Sequence, residues 1–254
     1  MLSVGLGAGL FAALLAGQGR RVRARIACLP AAVEPDGRHG RPADPPWHLV
    51  VLGDSVAAGV GVPHHGVSLA GLLAERLVGS TSGSTMGPTS GSRCVRRSVV
   101  AGAGLTAAGV LAAAEECGDL ATADAVVVSV GVNDTKNLHS VRRWRRELTA
   151  LLDGVTRAAP GTPVVLLGIP PLHRFVALPA PLRHVLGARG RRLDGIGRRV
   201  ATGFPAVRRV ELDDPDLLVV PDPFAVDGFH PSERLHAAFA ERIHRVLGEV
   251  PTSG

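Results

Sequence analysis

Five times between Trp47 and Leu247 a short apolar run stops at a glycine or polar turn and gives way to a longer segment with apolar residues at helical spacing. Runs this short, rich in valine and apolar at consecutive positions, suit strands buried on both faces of a parallel sheet. Parallel neighbours need crossover connections, and right-handed crossovers place helices on both sides of the sheet. The alternation therefore predicts an α/β chain, a three-layer α/β/α sandwich around a five-stranded parallel sheet.

The predicted strands are His48 to Leu52, Val95 to Ala101, Ala125 to Val130, Pro163 to Ile169 and Val207 to Leu212. The predicted helices are Val67 to Val78, an alanine-rich segment ending near Glu116, Val141 to Ala158, Leu182 to Val200 and Ser232 to Leu247. Pro170-Pro171 breaks the chain after the fourth strand. Gly79 to Ser92, rich in Gly, Ser and Thr, reads as a surface loop.

Three domains of behaviour follow from composition along the chain. Residues 1–29 hold an uncharged stretch from Leu2 to Gly17 followed by Arg20, Arg21, Arg23 and Arg25. Positive charge after the apolar stretch is the reverse of a secretory signal. It suits a membrane anchor or a membrane-surface contact through residues 1–25, with the arginine flank and the domain behind it on the cytoplasmic side. A secreted or cell-surface location, or a helix docked on the domain, is the alternative. Residues 30–46, rich in Pro, Gly and Arg, read as a linker, and residues 47–254 as one catalytic domain.

The net charge of +6 comes from arginine, since Lys136 is the sole lysine. These arginines are scattered, with no aromatic residues interleaved as a base-stacking surface requires, so nucleic acid is not expected as a partner. At 46% hydrophobic and 20% charged the chain is no disordered polar segment. Cys28, Cys94 and Cys117 are odd in number and lack metal-ligand spacing. They read as small apolar residues, with a Cys94–Cys117 bridge as the alternative, and neither a metal nor an organic cofactor is expected.

Ligand sites of such sheets lie beyond the carboxyl ends of the strands. Ser55, Gly104 and Asn133 each fall just after predicted strands one, two and three. A serine hydroxyl needs a base to take its proton and donors aimed at the oxyanion that forms on attack. Asp227-Gly228-Phe229-His230 sets a carboxylate three residues before an imidazole, so that the Asp can hold Nδ1 and leave Nε2 for the serine. Ser55 and Gly104 can offer backbone N–H groups, and Asn133 a side-chain amide. Asp54 and Asp134 are read as fixing their loops through backbone hydrogen bonds. His64, His65, His173 and His184 either line the mouth of the site or are ordinary loop histidines.

These segments resemble a known family. Gly53-Asp54-Ser55-Val56-Ala57-Ala58-Gly59-Val60-Gly61 is similar to the first block of SGNH/GDSL hydrolases, Gly131-Val132-Asn133-Asp134 to the third and Asp227-Gly228-Phe229-His230-Pro231 to the last. Gly104 matches the glycine of the second block, with Gly102 as its competitor because the asparagine that often precedes that glycine is missing. The resemblance covers about Trp47 to Leu247 and implies a flavodoxin-like fold and a serine esterase. Its catalytic residues would be Ser55, Asp227 and His230, and its oxyanion hole Ser55, Gly104 and Asn133. The implied partner is a small-molecule or lipid-like ester, attacked by a monomer. A carbohydrate O-deacetylase is the alternative enzyme, and a non-catalytic acyl- or membrane-binding protein the alternative of another class. The segment Pro170 to Leu186, with Phe175, Leu178 and Leu182, resembles the lid-like insertion of some bacterial relatives.

Overall fold

The computed structural model describes residues 2–26, 29–42, 45–79, 94–214, 217 and 219–248. Five parallel strands form the sheet: β2 (Trp47–Gly53), β3 (Val95–Ala101), β4 (Ala125–Ser129), β5 (Val164–Leu167) and β6 (Val207–Val210). Across the sheet they run β3-β2-β4-β5-β6, so the order reverses between β2 and β4. The loops leaving those two strands part to opposite sides and open a crevice at their carboxyl ends.

The expected five strands gain a sixth. β1 (Gly37–His39) pairs antiparallel with β3 along the edge of the sheet. It comes from the stretch read as a linker, where three residues among prolines and glycines carry no strand periodicity. Its position is set by Arg97, whose guanidinium donates to the carbonyls of Glu34 and Asp36. Ahead of β1, Ala32 N–H donates to Ala58 O, inside the first motif. The stretch is laid on the domain as far as it is described.

Alternation along the strands fills two cores. Val50 and Leu52, Val126 and Val128, and Val164 and Leu166 face one side, against α3 (Ala107–Glu115), α5 (Val141–Ala158) and α6 (Leu182–Ala201). Leu49 and Val51, Ala125 and Val127, and Val165 and Leu167 face the other, against α2 (Leu69–Gly79) and α7 (Glu233–Gly248). A central strand with both faces covered is apolar at nearly every position, which is why β4 reads Ala-Val-Val-Val before the serine at its carboxyl end. The short helix α4 (Val132–Lys136) follows β4 directly and was hidden in the sequence inside the third motif.

The N-terminal segment forms α1 (Leu2–Ile26), and no described helix is long and apolar enough to cross a membrane. α1 lies against α6: Leu15 and Val22 pack on the core beneath, and Gln18 donates to Ala180 O while accepting from Leu182 N–H. Cys94 is buried and Cys117 half-buried, and both are free thiols, so the alternative bridge is not formed. Cys28 and residues 80–93, most of the expected surface loop, lie outside the described residues.

Candidate active site

Strand β2 ends against its neighbour so closely that only glycine fits at Gly53, where a Cβ would lie 2.4 Å from Ser129 O. The chain then turns tightly. Asp54 N–H donates to Ser129 O, Ala58 N–H to Asp54 O and Val60 N–H to Ser55 O. Asp54 is buried, and its Oδ1 accepts from Val56 N–H at 3.1 Å and Ser129 Oγ–H at 3.1 Å. The role expected for Asp54 is thus what the geometry gives, and the turn leaves Ser55 half-buried at the strand end. Neither Ser55 N–H nor Ser55 Oγ has a protein hydrogen-bond partner among the described residues.

Burial pushes the Asp54 carboxyl up to about 6, against the opposing pull of its two hydrogen bonds and of the Lys136 charge. A carboxyl raised in the folded state holds a proton that the unfolded chain has lost. Its contribution to stability is complete below pH 3.8 and disappears as pH rises through about 6. In Asp54→Asn an amide oxygen can accept the same two bonds without titrating. The stability of this variant relative to the parent is expected to grow by about 2 kcal/mol from about pH 4.5 to about pH 8. Urea unfolding at the two pH values reads this directly, and parallel pH profiles would count against a buried Asp54 charge.

Asp227 and His230 come from a loop that bonds to itself, with Ala225 N–H on His230 O, Gly228 N–H on Ala225 O and Ser232 N–H on Pro223 O. The side chain of Asp227 is almost fully buried. Its Oδ1 accepts the N–H groups of Phe229 at 2.9 Å and His230 at 3.0 Å, while Oδ2 lies 2.6 Å from His230 Nδ1. Because a carboxylate only accepts, Nδ1 carries the proton and Nε2 is left as the basic nitrogen. Burial lowers the pKa of His230, Asp227 raises it and Lys136 lowers it further. The ring is therefore biased toward the neutral form that can take a proton.

Asn133 and Asp134 sit in the first turn of α4 and tie it to the loop after β3. Asn133 Nδ2 donates to Leu105 O at 2.8 Å, which leaves its second amide hydrogen for another acceptor. Asp134 Oδ2 accepts from Ala107 N–H, as expected of a loop-fixing residue, and Oδ1 meets His139 Nδ1 at 3.0 Å. Between these anchors Gly104 takes φ +86°, with open space where a side chain would stand. Gly102 N–H donates to Gly53 O, whereas Gly104 N–H has no acceptor among the described residues. The two glycines left open by the sequence thus differ in the one property that matters for binding an oxyanion.

Ser55 and His230, 175 positions apart in the chain, line one cavity. Asp54 and Ser129 also line it, and its other walls are mostly apolar, with Val130 and Val132 after β4, Pro170 and Phe175 after β5, and Leu212, Leu217, Phe224 and Phe229 beyond, whereas Gly104 and Asn133 are not among its lining. Phe175 packs on Phe224 and Phe229 with ring centroids 5.0 and 5.2 Å apart. The segment Pro170 to Leu186 divides accordingly. Phe175 reaches the cavity, while Leu178 and Leu182 are buried in the core under α6. None of His64, His65, His173 and His184 lines the cavity, and His65 is buried against Ser68.

One group among the described residues gathers metal-ligand atoms: Asp134, His139 and Glu147, all within 4.8 Å of one another. The first two bond each other, and Glu147 Oε1 accepts from Arg143 and Arg146. Sequence reasoning did not place Lys136 here. Its ammonium lies 5.4 Å from the centroid of the Phe229 ring, one helical turn beyond Asn133. The available signal was its position three residues after the motif asparagine.

Residues 51–238 match the GDSL-like lipase/acylhydrolase family. A GDSL-like esterase of Mycobacterium tuberculosis is 29% identical over 217 residues, 81% of this chain, and the chain spans 63% of that relative's length. Two solved structures share the fold. The lipase/acylhydrolase from Enterococcus faecalis is 18% identical, with a TM-score of 0.60 over 82% of this chain and 100% of its own. The psychrotrophic esterase EstA from Pseudoalteromonas sp. is 16% identical, with a TM-score of 0.58 over 79% of this chain and 96% of its own. With about three-quarters of its length matched by that family, the chain belongs to the GDSL-like lipase/acylhydrolase family.

Proposed function

We propose that the chain is a serine esterase that cleaves carboxylic esters through an acyl-enzyme. The observation that carries this reading is the meeting of Ser55 with the Asp227-held imidazole of His230 in one apolar cavity. In the reaction, Ser55 Oγ attacks the ester carbonyl as Nε2 of His230 takes its proton, and Asp227 stabilises the imidazolium. The carbonyl oxygen becomes an oxyanion facing the N–H groups of Ser55 and Gly104 and the free amide hydrogen of Asn133. His230 then gives the proton to the departing alcohol. Water, deprotonated by the same ring, attacks the acyl-serine and regenerates the enzyme.

The aromatic and leucine walls of the cavity favour a lipid-like or short-chain acyl group over the single methyl of an acetylated sugar. A panel of p-nitrophenyl esters from acetyl to decanoyl, beside acetylated xylose, separates the two. Reaction with a fluorophosphonate probe tests the nucleophile itself. The label is expected on the peptide containing Ser55, and labelling elsewhere or not at all removes the proposal in favour of a binding protein on the same fold.

A membrane-surface partner belongs to the same reading. Leu10, Phe11 and Leu14 of α1 are exposed at 67, 47 and 50%, ahead of the exposed arginines Arg20, Arg21, Arg23 and Arg25. Apolar side chains followed by a basic flank suit a helix lying in the interface of an anionic bilayer. Burying each such side chain contributes about 1.5–3 kcal/mol, so the pair Leu10→Ser and Phe11→Ser is expected to weaken sedimentation with phosphatidylglycerol vesicles at least about tenfold. Unchanged binding would argue that α1 serves the domain alone.

A further inference from the structure

Lys136 is the sole lysine of the chain, and it sits over Phe229, one wall of the cavity, in an unusual state. It is half-buried, with its ammonium over the face of Phe229, and no carboxylate among the described residues lies within ion-pair distance of it. One such contact with a phenylalanine ring is weaker than the cost of drawing an ammonium out of water. Nearby charges do not repair the deficit. Asp54 attracts Lys136, but only from beyond ion-pair distance, with Oδ1 already accepting two hydrogen bonds and the carboxyl taking up a proton below about pH 6. Arg23, which α1 brings within electrostatic reach of Lys136, adds charge of the same sign.

A half-buried cation with no carboxylate in contact, seated over a ring that walls the cavity, is suited to receive an anion. The cavity itself is walled mainly by apolar side chains, with the Asp54 carboxyl among them, and would take the acyl chain, so the anion cannot sit there. We infer that Lys136 receives an anionic group carried on the alcohol part of the ester, making this enzyme selective for acyl esters of acidic alcohols. The inference rests on the esterase reading above. An ammonium is a point charge on a flexible stem, so carboxylate and phosphate are both accommodated by it.

Lys136 has a second effect that a purely structural lysine would lack. The groups facing His230 are Asp227 on its own loop, Lys136 on α4, Asp54 after β2 and the buried His236 on α7. Among them Lys136 opposes a positive charge on the ring, so its removal raises the pH at which His230 becomes neutral.

The test compares hexanoyl glycolate with hexanoyl glycolamide, two esters that differ by one negative charge, in the parent enzyme, Lys136→Met and Lys136→Arg. The parent is expected to show a KM for the glycolate ester at least about tenfold below that for the amide. Lys136→Met should erase most of that ratio and move the acid limb of kcat/KM for the amide to higher pH, and Lys136→Arg should restore both. The hexanoyl ester of hydroxyethyl phosphate, run alongside, tells a phosphate preference from a carboxylate one. Equal KM values for all three esters in the parent, or a ratio that survives in Lys136→Met, overturns the inference while leaving the esterase standing. Should no ester be cleaved, the esterase reading fails, and calorimetric titration with the uncleavable hexyloxyacetate decides the anion site separately. Tighter binding by the parent than by Lys136→Met keeps the site, and equal or absent binding removes it.

Discussion

Replacing Ser55 by alanine is expected to lower kcat for p-nitrophenyl butyrate on the order of 10⁶-fold, because the acyl-enzyme route is lost whole and His230 has no proton to take. The fold should not notice. Ser55 is half-buried and its Oγ has no protein hydrogen-bond partner among the described residues, so its loss leaves no partner unsatisfied. Stability is expected within about 0.5 kcal/mol of the parent, as for other substitutions away from packed or bonded features. The pairing of the two readouts matters. Activity lost together with stability would mean only that the turn after β2 had been disturbed, whereas turnover that persists in a stable variant assigns the chemistry to another residue.

Asp227→Asn should cost about 10⁴ in kcat for a different reason. An asparagine oxygen can keep the two backbone bonds that Asp227 Oδ1 accepts from Phe229 and His230, so the loop holds its shape. Its amide then points donor hydrogens at Nδ1, which forces the imidazole proton to Nε2 and leaves no basic nitrogen for the serine. The contrast with Asp227→Ala separates orientation from structure. Alanine abandons two buried N–H groups at about 1–3 kcal/mol each, so it should lose stability as well as activity. If the asparagine variant retained most of the parent turnover, the tautomer assigned to His230 would be wrong.

The central strands β2, β4 and β5 could be read from the sequence because burial on both faces makes nearly every position apolar. β3 and α5 take the bounds expected of them, and the others shift only at their ends. The Asp227–His230 couple was also legible, since three residues on one turn is a local relation. What could not be read is what depends on a partner far away in the chain. Gly102 and Gly104 are equivalent on paper, and only the bond from Gly102 N–H to Gly53 O tells them apart. β1 is too short to show a period and owes its place to Arg97, almost sixty residues on. Nothing in the sequence shows that α4 carries Lys136 over Phe229, more than ninety positions away.

The clasp between Gln18 and the backbone at Ala180 and Leu182 bears on how this protein can be handled at the bench. A chain trimmed to start after α1, the usual remedy for an awkward hydrophobic leader, would strip Leu15 and Val22 from the core surface they cover and expose greasy area there. Exposed patches of that kind drive self-association. Poor yield or clumping of the trimmed protein would then reflect a missing structural part, and polar substitutions at Leu10, Phe11 and Leu14 offer the gentler route to a soluble preparation.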